Sequence, residues 1–182
     1  MPRVYLSPSL QEYNEFVNGG TEEEYANLIA DAMEPYLLAS GIEVGRNRPE
    51  MTLGEAISDS NAGDYDLHFA IHSNAAPASL AGKLQGTDVY YFYNSPKGKE
   101  IADFVRDEMK KLYPNPQKVN AVSTAVLREL RRTNAPAVLV ETAYHDNPED
   151  ALWMKGNIDA IAQAYTKAIA AYFGLPWKAS EQ

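Results

Sequence analysis

The chain has 182 residues, of which 45% are hydrophobic, and a formal net charge of −9. This is enough apolar material for one domain with its own core. The acidic balance, with basic residues clustered only at Arg128, Arg131 and Arg132, argues against a nucleic-acid partner. No cysteine is present, which excludes disulfides, thiolate zinc sites and thiol nucleophiles; any metal must be held by His, Asp, Glu or water. No apolar run reaches the length of a membrane span, and Met1-Pro-Arg-Val-Tyr-Leu6 leads into a strand without signal-peptide architecture.

In chain order, Val4 to Leu6 reads as a short first strand, followed by a loop from Ser7 to Gly20 of the kind that carries function. Thr21-Glu-Glu-Glu24 has capping-box spacing and opens a helix with Tyr25, Leu28, Ile29, Met33 and Leu37 at helical period, ending at Gly41. Ile42 to Val44 is a second strand, Thr52 to Asn61 a short helix, and Asp66 to Ile71 an apolar strand. Gly86 to Tyr93 is an aromatic strand, Gly98 to Leu112 a helix, and Ala135 to Val140 a further buried strand. A last helix starts at Asn147 and Pro148 and runs to Gly174, with residues 176–182 as a tail after a single domain over 1–175. Alternating strands and helices predict an α/β fold with a mostly parallel twisted sheet of about six strands, flanked by helices.

His68, His72 and His145 are the only imidazoles. His68 and His72 lie four apart on one strand, about 13 Å at strand rise, too far to share an ion. His72 stands at the strand end before Ser73, Asn74 and Ala75, where open α/β sheets keep their sites. Two roles suit it, a metal ligand or a hydrogen-bonded half-buried histidine. Glu141 directly follows the buried run Pro136-Ala-Val-Leu-Val140, and there a carboxylate suits either a general base or a turn cap.

The order of these pieces, from Val4 to about Phe173, resembles the zinc-dependent N-acetylmuramoyl-L-alanine amidases of the amidase-3 family. The matching segments are Val4-Tyr-Leu-Ser-Pro8, Glu23-Glu-Tyr-Ala-Asn27, Ala70-Ile-His72-Ser-Asn74-Ala75, and Asn134 to Thr142 with Asn147-Pro148. The resemblance implies a Zn2+ cofactor with Glu23 and His72 as ligands and Glu141 as the catalytic glutamate. The implied reaction is hydrolysis of the amide between N-acetylmuramic acid and L-alanine of peptidoglycan. One departure stands out. Where the family has a histidine after the first strand, this chain reads Pro8-Ser9-Leu10-Gln11, and leucine cannot bind metal. His145, four residues past Glu141, is the expected substitute, with Gln11, Glu12 and His68 as other donors.

The expected function is therefore a zinc amidase acting at the bacterial cell wall, either as a lysin released by lysis, an autolysin, or a domain of a longer secreted protein. The expected partner is peptidoglycan, with no nucleic acid, no membrane span and a monomeric state. The loops Ser9 to Gly20 and Asn74 to Gly86, with Tyr90, Tyr91, Tyr93 and Asn94, are the expected groove walls. Two other readings are a degenerate amidase fold that binds without cutting, and a zinc peptidase or deacetylase acting on another amide.

Overall fold

Each apolar run of the sequence becomes a strand of one six-stranded sheet in the computed structural model, which describes residues 1–180. The strands are β1 (Arg3–Pro8), β2 (Glu43–Arg46), β3 (Leu67–Asn74), β4 (Thr87–Phe92), β5 (Val119–Thr124) and β6 (Ala137–Tyr144). Their spatial order is β2-β1-β3-β6-β4-β5. Neighbours are parallel except β4 and β6, which pair antiparallel, so β4 and β5 run against the other four. The helices are α1 (Glu22–Ala39), α2 (Leu53–Ala62), α3 (Pro96–Leu112), α4 (Arg128–Arg132), α5 (Pro148–Gly156) and α6 (Ile158–Tyr172).

Side chains alternate across a strand, so β3 divides the molecule in two. Leu67, Phe69 and Ile71 point to one face, where they join Val4, Leu6, Val138 and Val140 in the main core under α1, α3 and α6. These strand residues are fully buried. His68, Ala70 and His72 point to the other face, beside Tyr5 and Ser7 of β1 and Leu139 and Glu141 of β6. Among the described residues, the helices that cover that side are the short α2 and α4, over a small apolar cluster of Ala70, Leu130, Ala137 and Leu139. The alternation thus puts apolar groups under the long helices and polar groups under the thin cover.

Three features depart from the sequence-based expectation. The strand β5 was not anticipated, because Val-Asn-Ala-Val-Ser-Thr lies at a sheet edge and half of its residues are polar. The five-residue helix α4 is too short to show a period. The last helix divides at Asn157, whose side-chain amide donates to the Trp153 carbonyl at 2.7 Å, ending α5 before α6 begins. The segment expected as a tail is anchored as far as described: Trp177 stacks on Tyr36 and its indole N–H donates to Thr166 at 2.9 Å. Residues 181 and 182 of that segment lie outside the described residues.

Candidate active site

The site forms at the carboxyl ends of β3 and β6, on the thinly covered face. His72 and Glu141 are register partners there, so their side chains stand next to each other across the two strands. A β-bulge between His72 and Asn74 follows immediately, of the kind that re-aims side chains next to functional sites.

Two carboxylates flank the His72 ring. The first is Glu22, the opening residue of α1 after the N-cap Thr21, whose hydroxyl accepts from the Glu24 N–H at 3.2 Å. His72 Nδ1 lies 2.9 Å from Glu22 Oε1, which also faces the Ser73 N–H at 3.4 Å. The second oxygen of Glu22 accepts from the Asn14 amide at 2.6 Å, and that same amide nitrogen donates to Gln11 Oε1 at 2.6 Å. The other flanking carboxylate is Glu129 of α4, whose Oε2 is 3.5 Å from His72 Nε2, an ion-pair contact. Its Oε1 accepts from His68 Nε2 at 2.8 Å and from the Ser7 hydroxyl. His68 is itself held by Ser60 Oγ, 2.9 Å from Nδ1, and stacks on Tyr5.

This surrounding sets the charges. Burial alone would depress the His72 imidazole, but the carboxylates of Glu129 and Glu22 override it and raise it to about 10. Burial would push both flanking acids up, yet Glu129 is held low by His68 and His72, and Glu22 by His72 and Asn14. Glu141 differs. Burial raises its carboxyl to about 7, with His72 opposing and Glu22 and Asp88 adding to the shift. Its Oε2 is buried without a hydrogen-bond partner. A buried acceptor left open is uncommon and points to a missing donor or cation.

A cavity of about 190 Å³ opens at this point, lined among others by Ser7, Gln11, His72, Glu129 and Glu141. A larger and more open hollow of about 830 Å³ lies around Met1, Asn61, Asp64 and Tyr172, but no imidazole lines it. The chemistry therefore singles out the smaller one.

Of the residues singled out in the sequence, His72 and Glu141 are brought together. Glu23 is not with them. Its carboxylate accepts from Asn27 at 3.0 Å, and Glu22, one step earlier, takes the place beside His72. One residue turns a helical side chain by about 100°, and a helix that starts at Glu22 aims that residue at the strand end. His145 is also elsewhere. Its Nδ1 is 2.8 Å from Ser73 Oγ and its ring stacks on Phe16. Ser73 neighbours His72 and so points to the opposite face of β3, which takes His145 away from the cavity. Glu12 is exposed. Among the described residues, no three His, Asp or Glu side chains form a ready metal cluster.

Glu129, Glu22 and Ser7 were missed. In the sequence the stretch around Glu129 stands out only for Arg128, Arg131 and Arg132, and it is the tertiary fold that makes Glu129 nearly inaccessible, at 4% exposure.

Residues 11–171 match the family model of N-acetylmuramoyl-L-alanine amidase, Amidase_3. The chain belongs to this amidase family. It is 28% identical over 179 residues to N-acetylmuramoyl-L-alanine amidase LytC of Bacillus subtilis, covering 93% of this chain and 35% of LytC. It is also 28% identical over 154 residues to the probable cell wall amidase LytH of Staphylococcus saprophyticus, covering 84% of this chain and 50% of LytH. The chain thus spans between a third and a half of the curated relatives it matches. An N-acetylmuramoyl-L-alanine amidase from Clostridium difficile 630 has the same fold, with a TM-score of 0.84 at 19% identity over 95% of this chain and 97% of that one. Cwp6 of Clostridium difficile matches with a TM-score of 0.81 at 27% identity, over 93% of this chain and 29% of Cwp6. On this fold the chain gathers three carboxylates, Glu22, Glu129 and Glu141, around the imidazole of His72.

Proposed function

We propose that this chain is a zinc-dependent peptidoglycan hydrolase that cleaves the amide between N-acetylmuramic acid and L-alanine. The observation that carries the reading is Glu141, a buried carboxylate with an open oxygen, standing beside His72 at a cavity in a chain of the amidase family. The donor set suits a divalent cation. Glu22 and His72 supply a carboxylate and an imidazole in contact, and Gln11 offers an amide oxygen that meets Glu22 at the Asn14 amide. Gln11 thereby replaces His145 as the candidate third donor.

When bound, zinc supplies Lewis acidity, which activates water and polarises the scissile carbonyl. Glu141 takes the proton from the attacking water in the cavity. Its raised affinity for protons, a consequence of burial, suits it to hold that proton at neutral pH and pass it to the departing L-alanine nitrogen. The amine must be protonated to leave, so one carboxylate serves both steps. No covalent bond to the enzyme is required. Of the expected groove walls, Tyr91 packs partly buried against the main core and Tyr90 against the smaller cluster, and Tyr93, though 64% exposed, follows a strand in which Asp88 pairs with Glu141 and Tyr91 with Val138, so it lies at the opposite end of β6 from the cavity.

The test is digestion of intact peptidoglycan with and without chelator, with mass spectrometry of the new ends. Stem peptides with a free L-alanine amine, lost on chelation and restored by zinc, are the expected result. Cleavage of another amide would redirect the reading to a peptidase or deacetylase. Binding of the wall without cleavage, under any metal, would favour a degenerate domain.

A further inference from the structure

Glu129 has no part in the chemistry above, yet it is among the most completely engaged groups of the molecule. Its Oε1 accepts from both His68 Nε2 and Ser7 Oγ, and Oε2 is the oxygen left for His72 Nε2. His68 is fully buried, locked by Ser60 Oγ on its other nitrogen and stacked at 5.4 Å on Tyr5. A carboxylate fixed on one oxygen by two partners can aim its other oxygen at one point only. That point is the ring nitrogen of His72 that does not face Glu22.

An imidazole that binds a metal through one nitrogen carries its proton on the other, and a carboxylate accepting a hydrogen bond from that N–H fixes both tautomer and ring orientation. Here Nδ1 faces Glu22, on the side where Gln11 and Asn14 gather, and Nε2 faces Glu129. We propose that Glu129, held by His68 and Ser7, is a positioning residue whose carboxylate faces the Nε2–H of His72 as its acceptor and so presents Nδ1 to the metal. The inference rests on the metal-dependent reading above. It assigns His68 a role too: four residues before His72 and too distant to share its ion, it acts on the same ring through the shared carboxylate. It also accounts for Ser7, whose hydroxyl donates to Glu129.

The experiment compares the full chain with Glu129→Gln and His68→Gln, using competition against a chromophoric chelator for zinc affinity and cadmium-113 substitution with nitrogen-15 NMR of the His72 ring. In the parent chain, cadmium should couple to Nδ1 while Nε2 keeps its proton. Glu129→Gln should weaken zinc about 10- to 100-fold, shift the Nε2–H resonance and leave the circular dichroism spectrum unchanged. His68→Gln, which leaves the carboxylate in place, should show the same change at smaller size. Glu129→Asp should recover part of the affinity. Coupling of cadmium to Nε2, or zinc affinity unchanged in Glu129→Gln while the parent binds tightly, would overturn the positioning role alone. A parent chain that binds neither metal would overturn the metal-dependent reading with it.

Discussion

The two faces of the sheet are built from the same strands yet obey different rules. On the face under α1, α3 and α6, Leu67, Phe69 and Ile71 of β3 are sealed against long helices. On the other face, His68, Ala70 and His72 of the same strand meet short helices, three carboxylates and a cavity. The first face follows the hydrophobic effect and close packing. The second keeps buried charges in place only by pairing them, as Glu129 with His68 and His72. Stability and chemistry are thus separated by one residue of strand period.

The comparison can be broken most severely at Glu141. Its replacement by glutamine should lower kcat about 10²- to 10⁴-fold while zinc content by elemental analysis stays at the parent level. Full activity in that variant would remove Glu141 from the proton transfers. On the opposite face, Phe69→Ala should cost about 3–5 kcal/mol in denaturant unfolding, since the ring is fully buried within the main core. Leu139→Ala, beside the cavity, should cost about 2 kcal/mol, at the low end for such truncations. Equal costs at the two positions would deny that the faces differ in packing.

An effect of comparable size and opposite sign is expected from Glu141→Gln on stability in chelator. The folded carboxyl is raised from 4.5 to about 7, so the folded state binds the proton more tightly than the unfolded chain does. Stability contributed by the protonated form is present below about pH 4.5 and lost as pH rises through 7. The glutamine variant lacks this loss and should be more stable by on the order of 2–3 kcal/mol above pH 7, with no difference near pH 4. A constant difference across that range would contradict the buried-acid assignment. The smallest effect belongs to His145, on the sealed side. His145→Ala should cost about 1 kcal/mol through its hydrogen bond to Ser73 and leave zinc affinity unchanged. A loss of zinc would restore His145 to the site.

The sequence alone sufficed for the strand and helix order apart from β5, α4 and the division of the last helix at Asn157, because apolar runs such as Leu67 to Ile71 and Val138 to Val140 have few alternatives once turns and caps bound them. It also marked His72 and Glu141, since a polar group at the end of a buried strand is conspicuous in a one-dimensional pattern. Which partners surround them was a matter for the tertiary structure. The choice of Glu22 over Glu23 turns on where one helix starts, and a shift of a single residue swings the side chain by about 100°. The exclusion of His145 turns on strand alternation at Ser73, and the recruitment of Glu129 on a short helix 57 residues beyond His72 in the chain. Periodicity is local and can be read along a chain, whereas a cluster of charges exists only where distant segments meet.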